Sequence, residues 1–245
     1  MAISLSDIKR SVKNPCYRMV IHGTPGIGKT TFASQLPSPI FIRAEDGLGG
    51  IEVDTFDLVT SYGDVIDAIG LLYAEEHDYK TVVLDTASAL EPIIWQQVAI
   101  DERVKHIEDL GYGKGYVKAT DLWRDVIGGL SALRDKGINS VVLAHSDVVT
   151  FHSPETEAYD RYQIKLHQRA FKLFYESFDI IGFANWKTSV LKSESAGAKT
   201  KSRGIGGGER KLYLEERPAF IAKNRYSLPA SMPFDAASFL EAMTK

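Results

Sequence analysis

The sequence predicts an α/β fold, a mostly parallel central sheet flanked by helices, with an antiparallel β extension towards the C-terminal side. Three observations predict it. Short apolar runs recur at 17–22, 39–43, 80–85 and 140–145, bounded by Gly, Pro or charged residues, as strands buried on both faces are. Segments of helical periodicity lie between them, the alternation that covers a parallel sheet on both sides. Beyond residue 178 the rhythm changes to β-rich runs around a stretch poor in large apolar residues, the pattern of a hairpin.

Taken in order, 17–22 is a strand ending at a glycine cluster, and 29–36 is a helix closed by Pro37. A strand at 39–43 leads through Gly47, Gly49 and Gly50 to a helix at 62–76, where Val65, Ile66, Ile69, Leu72 and Tyr73 fall at helical spacing. The strand 80–85 precedes helices over 89–108 and 118–136, and 140–145 is the fourth strand. A polar stretch to Asp160, a helix over 161–175 and a strand over 178–186 follow. The β-rich runs 185–191 and 211–222 flank 192–208, whose Ser, Gly, Ala and Lys predict a mobile basic loop. No internal repeat is visible, and 245 residues suit one domain spanning 1–245.

Hydrophobic residues at 44% and charged residues at 25% are ordinary for a globular chain. A formal charge of -3 excludes a globally basic nucleic-acid coat but leaves room for a local basic stripe. Cys16 is the only cysteine, so no intramolecular disulfide can form, and a cytoplasmic location is expected. Residues 1–13 lack the continuous apolar stretch of a signal peptide, and no membrane span is expected.

Gly23-Thr24-Pro25-Gly26-Ile27-Gly28-Lys29-Thr30 fits the phosphate-loop pattern of Gly, four residues, Gly, Lys and Ser/Thr. It lies between an expected strand and an expected helix, where backbone N–H groups converge on an anion. The predicted ligand is ATP with Mg²⁺, held by residues 23–31 including Thr31. Glycine lets the main chain approach the phosphates, Lys29 adds a cation, and Thr30 offers a hydroxyl to the metal. Thr81-Val-Val-Leu-Asp85 puts a carboxylate at the end of a buried strand, where ligands of open α/β sheets gather, and Asp85 is the second metal-ligand candidate. Glu45, directly after the second strand, is the candidate for orienting water, with Asp46 its competitor. His145 ends the fourth strand, where a polar side chain reports on the γ-phosphate or serves only structure.

On these residues the chain resembles the RecA-type branch of P-loop ATPases, and more closely the phage-encoded RecA-like ATPases of the single-strand annealing and recombination group. Phe41-Ile-Arg-Ala-Glu45-Asp46-Gly-Leu48 is similar to the segment presenting the recombinase catalytic glutamate, which favours Glu45. Val141-Val-Leu-Ala-His145 falls where recombinases couple ATP to DNA, with His here for their glutamine. Ile221-Ala-Lys223-Asn224-Arg225 resembles the late motif whose two basic residues reach a neighbour's ATP. The resemblance implies a homo-oligomer, Lys223 and Arg225 acting in trans, and, if phage-encoded, the host cytoplasm.

Binding single-stranded DNA needs cations and flat rings. Tyr112, Lys114, Tyr116 and Lys118 interleave both in an expected flexible loop, or form a plain glycine-rich connection between helices. The second candidate is 187–211, with seven Lys/Arg against two Glu. Lys199, Lys201 and Arg203 are its DNA candidates, whereas the acidic stretch 147–160 is a poor phosphate binder. The leading function is an ATPase acting on single strands in phage-type recombination, annealing or replication, with no membrane partner and with a single-strand-binding protein or helicase as a candidate partner. The rivals are a non-catalytic ATP-switched assembly or helicase-loading protein and, third, a small-molecule kinase, for which no arginine-rich lid is apparent.

Overall fold

A computed structural model describes residues 16–192 and 202–244. In chain order the elements are β1 (Arg18–Gly23), α1 (Lys29–Ser34), β2 (Pro39–Arg43), β3 (Asp54–Thr55), α2 (Tyr62–Ala74), β4 (Thr81–Asp85), α3 (Ala87–Asp101), α4 (Lys114–Asp135) and β5 (Asn139–Phe151). There follow β6 (Tyr159–Ile164), α5 (Gln168–Ser177), β7 (Ile180–Lys192), β8 (Ser202–Tyr213), β9 (Lys223–Asn224), β10 (Ser231–Pro233) and α6 (Ala236–Thr244).

The sheet runs β10-β8-β7-β1-β5-β4-β2-β3. From β7 to β3 neighbouring strands are parallel, while β8, β9 and β10 add antiparallel pairs at the other side. This is the α/β architecture with an antiparallel C-terminal extension. Alternation along each strand feeds two cores. Val20, Ile42, Val82, Leu84 and Val142 face α2, α3, α4 and α5 around Trp123, Leu130 and Phe174. Met19, Ile21, Phe41, Val83, Val141 and Leu143 face α1 and α6, where Phe32 stacks on Phe234 and meets Phe239 edge-on. Strands β1 and β4 are separated by β5, so the carboxyl ends of β1, β5, β4 and β2 lie side by side.

Two expectations are corrected. The fourth strand does not end at 145: β5 continues through the polar stretch to Phe151 and pairs antiparallel with β6, from Ser146↔Ile164 to Phe151↔Tyr159. A two-stranded ribbon keeps polar side chains wet, so Asp147 and Asp160 do not oppose it; Thr150 donates to Asp160 at 2.7 Å. The following helix accordingly begins at Gln168, not near 161. The expected mobile loop 192–208 is also shortened, because Lys192 and residues 202–208 are strand, with Lys192↔Ser202 to Thr188↔Gly206 in register. A backbone ladder supplies the order that the side chains of this segment cannot.

Candidate nucleotide site

Strand β1 ends at Gly23, where a Cβ would stand 2.4 Å from the Ala184 carbonyl oxygen of β7. Only glycine permits that approach. The loop then turns through Gly26 and Gly28, with φ of 76° and 101°, and α1 starts with Phe32 N–H donating to Gly28 O at 2.9 Å. Ile27 is buried beneath the loop, while Pro25, Gly26 and Thr31 are exposed and Thr24 is half-buried. Buried Lys29 curls back so that Nζ donates to Gly23 O at 3.0 Å and Thr24 O at 3.1 Å. Burial holds its ammonium below the usual lysine range, against the charges of Asp85 and Glu45.

Thr30 Oγ1 donates to Asp85 Oδ2 at 2.9 Å. Burial raises the Asp85 carboxyl, the Thr30 bond lowers it, and Glu45 pushes it up again. Glu45 Oε2 lies 3.3 Å from His145 Nε2. The His145 hydrogen bond, with Lys29 and Thr86 adding to it, keeps the Glu45 carboxyl below the usual range despite burial. Asp46 points away, exposed, 3.6 Å from Arg43. Ser88 Oγ accepts from His145 N at 3.0 Å and donates to Lys165 O, bracing the His145 main chain from α3. Behind the loop, His22 is fully buried between Ser146 Oγ (2.9 Å) and Ile221 O (3.0 Å); burial pushes its imidazole down to about 4, so it is neutral at pH 7.

Gly23, Lys29, Thr30, Glu45, Asp85 and His145 thus share one end of the sheet. Among the described residues no group of three or more His, Cys, Asp or Glu could hold a metal. A hydroxyl and a carboxylate side by side nevertheless suit Mg²⁺, which takes one or two protein oxygens and completes its shell with phosphates and water. Thr30 and Asp85 would hold it.

The other predicted residues are placed elsewhere. Lys223 Nζ donates to the Tyr175 and Glu176 carbonyls that end α5. Arg225 pairs with Asp179 at 3.3 Å and donates to Glu176 O. Both therefore lie at the amino end of β7, away from their own chain's phosphate loop. The expected flexible loop around Tyr116 and Lys118 is corrected: Gly111 and Gly113, both at positive φ, make a turn, and Lys114 already begins α4. Tyr116 stacks on His167 at 4.0 Å and donates to Glu108 at 2.7 Å. Lys118 pairs with Glu102 at 2.8 Å. That ring and that ammonium are engaged within the chain, Lys118 while exposed, whereas Tyr112 and Lys114 are exposed at the turn and the start of α4. Lys199 and Lys201 lie outside the described residues, as does the Arg203 side chain.

Sequence reasoning missed three neighbours of the site. Thr86 is signalled by its place between Asp85 and a helix, which it caps by accepting from Ala89 N. His22 directly precedes the loop. Arg210, whose Nη1 donates to Ile27 O at 3.1 Å, is separated from the loop by most of the chain, and nothing local marks it.

Phosphate loop, strand order and acidic strand end define a P-loop α/β protein of the RecA-like kind, a nucleotide-binding class. Residues 16–226 match the model of AAA_24, an AAA domain family, and the chain belongs to that family. No curated protein matches it. Among solved structures, a KaiC-like protein from the hyperthermophilic archaeon Pyrococcus horikoshii OT3 is 10% identical, with a TM-score of 0.42 over 82% of this chain and 80% of that one. No helix among the described residues is long and apolar enough to cross a membrane.

Proposed function

We propose that the protein binds ATP with Mg²⁺ and hydrolyses it, and that it uses the cycle on single-stranded DNA in phage-type annealing, recombination or replication. The observation that carries hydrolysis is the pairing of Glu45 with His145 beside Lys29 and the Thr30–Asp85 pair. Bound Mg²⁺ would neutralise charge on the β- and γ-phosphates. Lys29 leaves the Gly23 and Thr24 carbonyls for phosphate oxygen, a stronger acceptor. Glu45, ionised at neutral pH, orients a water and accepts its proton as the water oxygen bonds to the γ-phosphorus; the bond to the bridging oxygen breaks, and ADP and phosphate leave. His145 touches Glu45 on one side and is held by Ser88 on the other, so it is placed to report the state of the site to β5 and β6.

The DNA part is supported by exposed Tyr112 and Lys114, by the excess of five positive charges over 187–211, and by the recombinase likeness of the motifs. Within the described part of that arm Glu209 already pairs with Lys187 and Lys211, which shifts the weight to the remaining cations. Phosphate release is measured with and without single strands at two salt concentrations: stimulation that fades with salt supports the reading. Hydrolysis that ignores DNA, with Glu45→Gln still functional, overturns it in favour of an ATP-switched loading protein.

In a homo-oligomer, half-exposed Arg225 is the cation a neighbouring subunit would receive, with Lys223 beside it. Lys29→Ala and Arg225→Ala subunits then recover activity when mixed; a dead mixture sinks the shared site.

A further inference from the structure

Arg210 stands where the antiparallel extension crosses the phosphate loop. Ala184 of β7 pairs with Gly23, and two residues further along β7 Trp186 pairs with Arg210 of β8. From there the Arg210 side chain reaches over the loop, Nη1 bonding Ile27 O at 3.1 Å. The same nitrogen lies 2.4 Å from where a Cβ on Gly28 would stand, so the guanidinium fills the space that this glycine leaves. Lys29 is held in the same manner on the carbonyls of Gly23 and Thr24. Two cations, brought from opposite ends of the chain, therefore rest on carbonyls of one loop.

A carbonyl is a weaker partner for a guanidinium than a phosphate, and the Ile27 bond uses one of five donors in a fork that matches phosphate oxygens two at a time. We propose that Arg210 is a phosphate-binding residue of this site in cis: with nucleotide bound, its guanidinium passes from Ile27 O to a phosphate oxygen and ties β8 to occupancy of the site. The proposal rests on the nucleotide-binding reading above. It goes beyond it in giving the C-terminal extension a direct contact with the ligand, so that the basic hairpin of β7 and β8 senses whether the loop is filled.

The test measures binding of ATP with Mg²⁺, and of inorganic tripolyphosphate with Mg²⁺, to the full chain and to Arg210→Gln, Arg210→Lys and Lys29→Ala. Arg210→Gln keeps a donor for Ile27 O and loses the charge. It is expected to bind both probes about 10- to 100-fold more weakly, with the melting temperature of the ligand-free protein unchanged. Equal losses for the two probes place the contact on phosphate rather than base. Emission of Trp186, isolated by comparison with Trp186→Phe, changes when ATP is added to the parent and not when it saturates Arg210→Gln.

If Arg210→Gln binds as tightly as the parent while Lys29→Ala does not bind, Arg210 only braces the loop and the proposal falls alone. If the parent itself takes up neither probe, the nucleotide-binding reading falls and this one with it. Should Gln destabilise the fold, Arg210→Lys and the neutral Arg210→Met decide: tighter tripolyphosphate binding by Lys than by Met supports the contact, and equal binding by the two overturns it.

Discussion

The two ends of β1 gather charge in opposite ways. At its amino end Arg18 bonds Asp179 through Nε and Nη2 at 3.2 Å, and Arg134 and Arg225 each add a contact at 3.3 Å. One carboxylate meets three guanidiniums: Arg18 and Arg134 close the network within the chain, while half-exposed Arg225 borders it and keeps donors towards solvent. At its carboxyl end, about 17 Å along the strand, Lys29, Asp85, Glu45 and His145 meet with bonding capacity left over. His145 Nδ1 is buried without a hydrogen-bond partner among the described residues, and Lys29 rests on backbone carbonyls. The difference teaches how to tell structural charge from functional charge: the former is saturated by its neighbours, the latter is held in place but unsaturated.

The largest effect that sharpens this contrast is at the open end. Lys29→Ala is expected to weaken ATP binding about 1000-fold, ~4 kcal/mol, with little change in melting temperature. Calorimetric titration measures it; parent-like affinity would place the ligand elsewhere. At the closed end Asp179→Asn leaves three arginines around a neutral amide and is expected to cost ~3 kcal/mol of stability in urea unfolding, with ATP affinity intact. Burial alone would raise the Asp179 carboxyl, but the Arg18 bonds and the charges of Arg18 and Arg134 hold it below the ordinary range. Its stabilisation is therefore present above the unfolded carboxylate pKa and lost as pH falls through the lower folded value. Next in size, Glu45→Gln is expected to lower kcat about 100-fold, ~2.7 kcal/mol, while ATP still binds; an unchanged turnover removes Glu45 from the chemistry.

The two ends also differ in how far sequence alone reaches. Strands β1, β2 and β4 are legible because parallel strands buried on both faces read as unbroken apolar runs, such as Val82-Val83-Leu84 between Thr81 and Asp85. Glu45, Asp85 and His145 each follow or end such a run, so their common edge of the sheet could be anticipated. The β5–β6 ribbon was hidden because its solvated alternation, Val148 and Val149 among Asp147 and Thr150, has no buried face to announce it. Arg210 and the Asp179 network were hidden for another reason. Their partners are set by strand register across the whole chain, and neither spacing nor charge count encodes that register locally.

A third buried acid puts the contrast to its finest test. Glu91 on α3 is buried like Asp179, but instead of arginines it has the His167 backbone N–H, which donates to both carboxylate oxygens at 2.9 Å. Burial outweighs that bond and raises its pKa to about 7. Saturation by dipoles alone does not do what saturation by charge does at Asp179. Because the folded pKa exceeds the unfolded one, Glu91's contribution is full below about pH 4.5 and is lost as pH rises through about 7. Buried His22 acts in the opposite sense, since its imidazole is depressed to about 4 and stability is lost as pH falls from its unfolded value. A comparison of parent with Glu91→Gln cancels His22 and keeps an acceptor for His167 N–H. Relative to that variant, the parent should lose on the order of 2 kcal/mol of unfolding free energy between pH 4.5 and 7.5, read from denaturant melts at both ends of the range. A difference that stays flat with pH would mean that the His167 amide neutralises Glu91 as fully as three arginines neutralise Asp179.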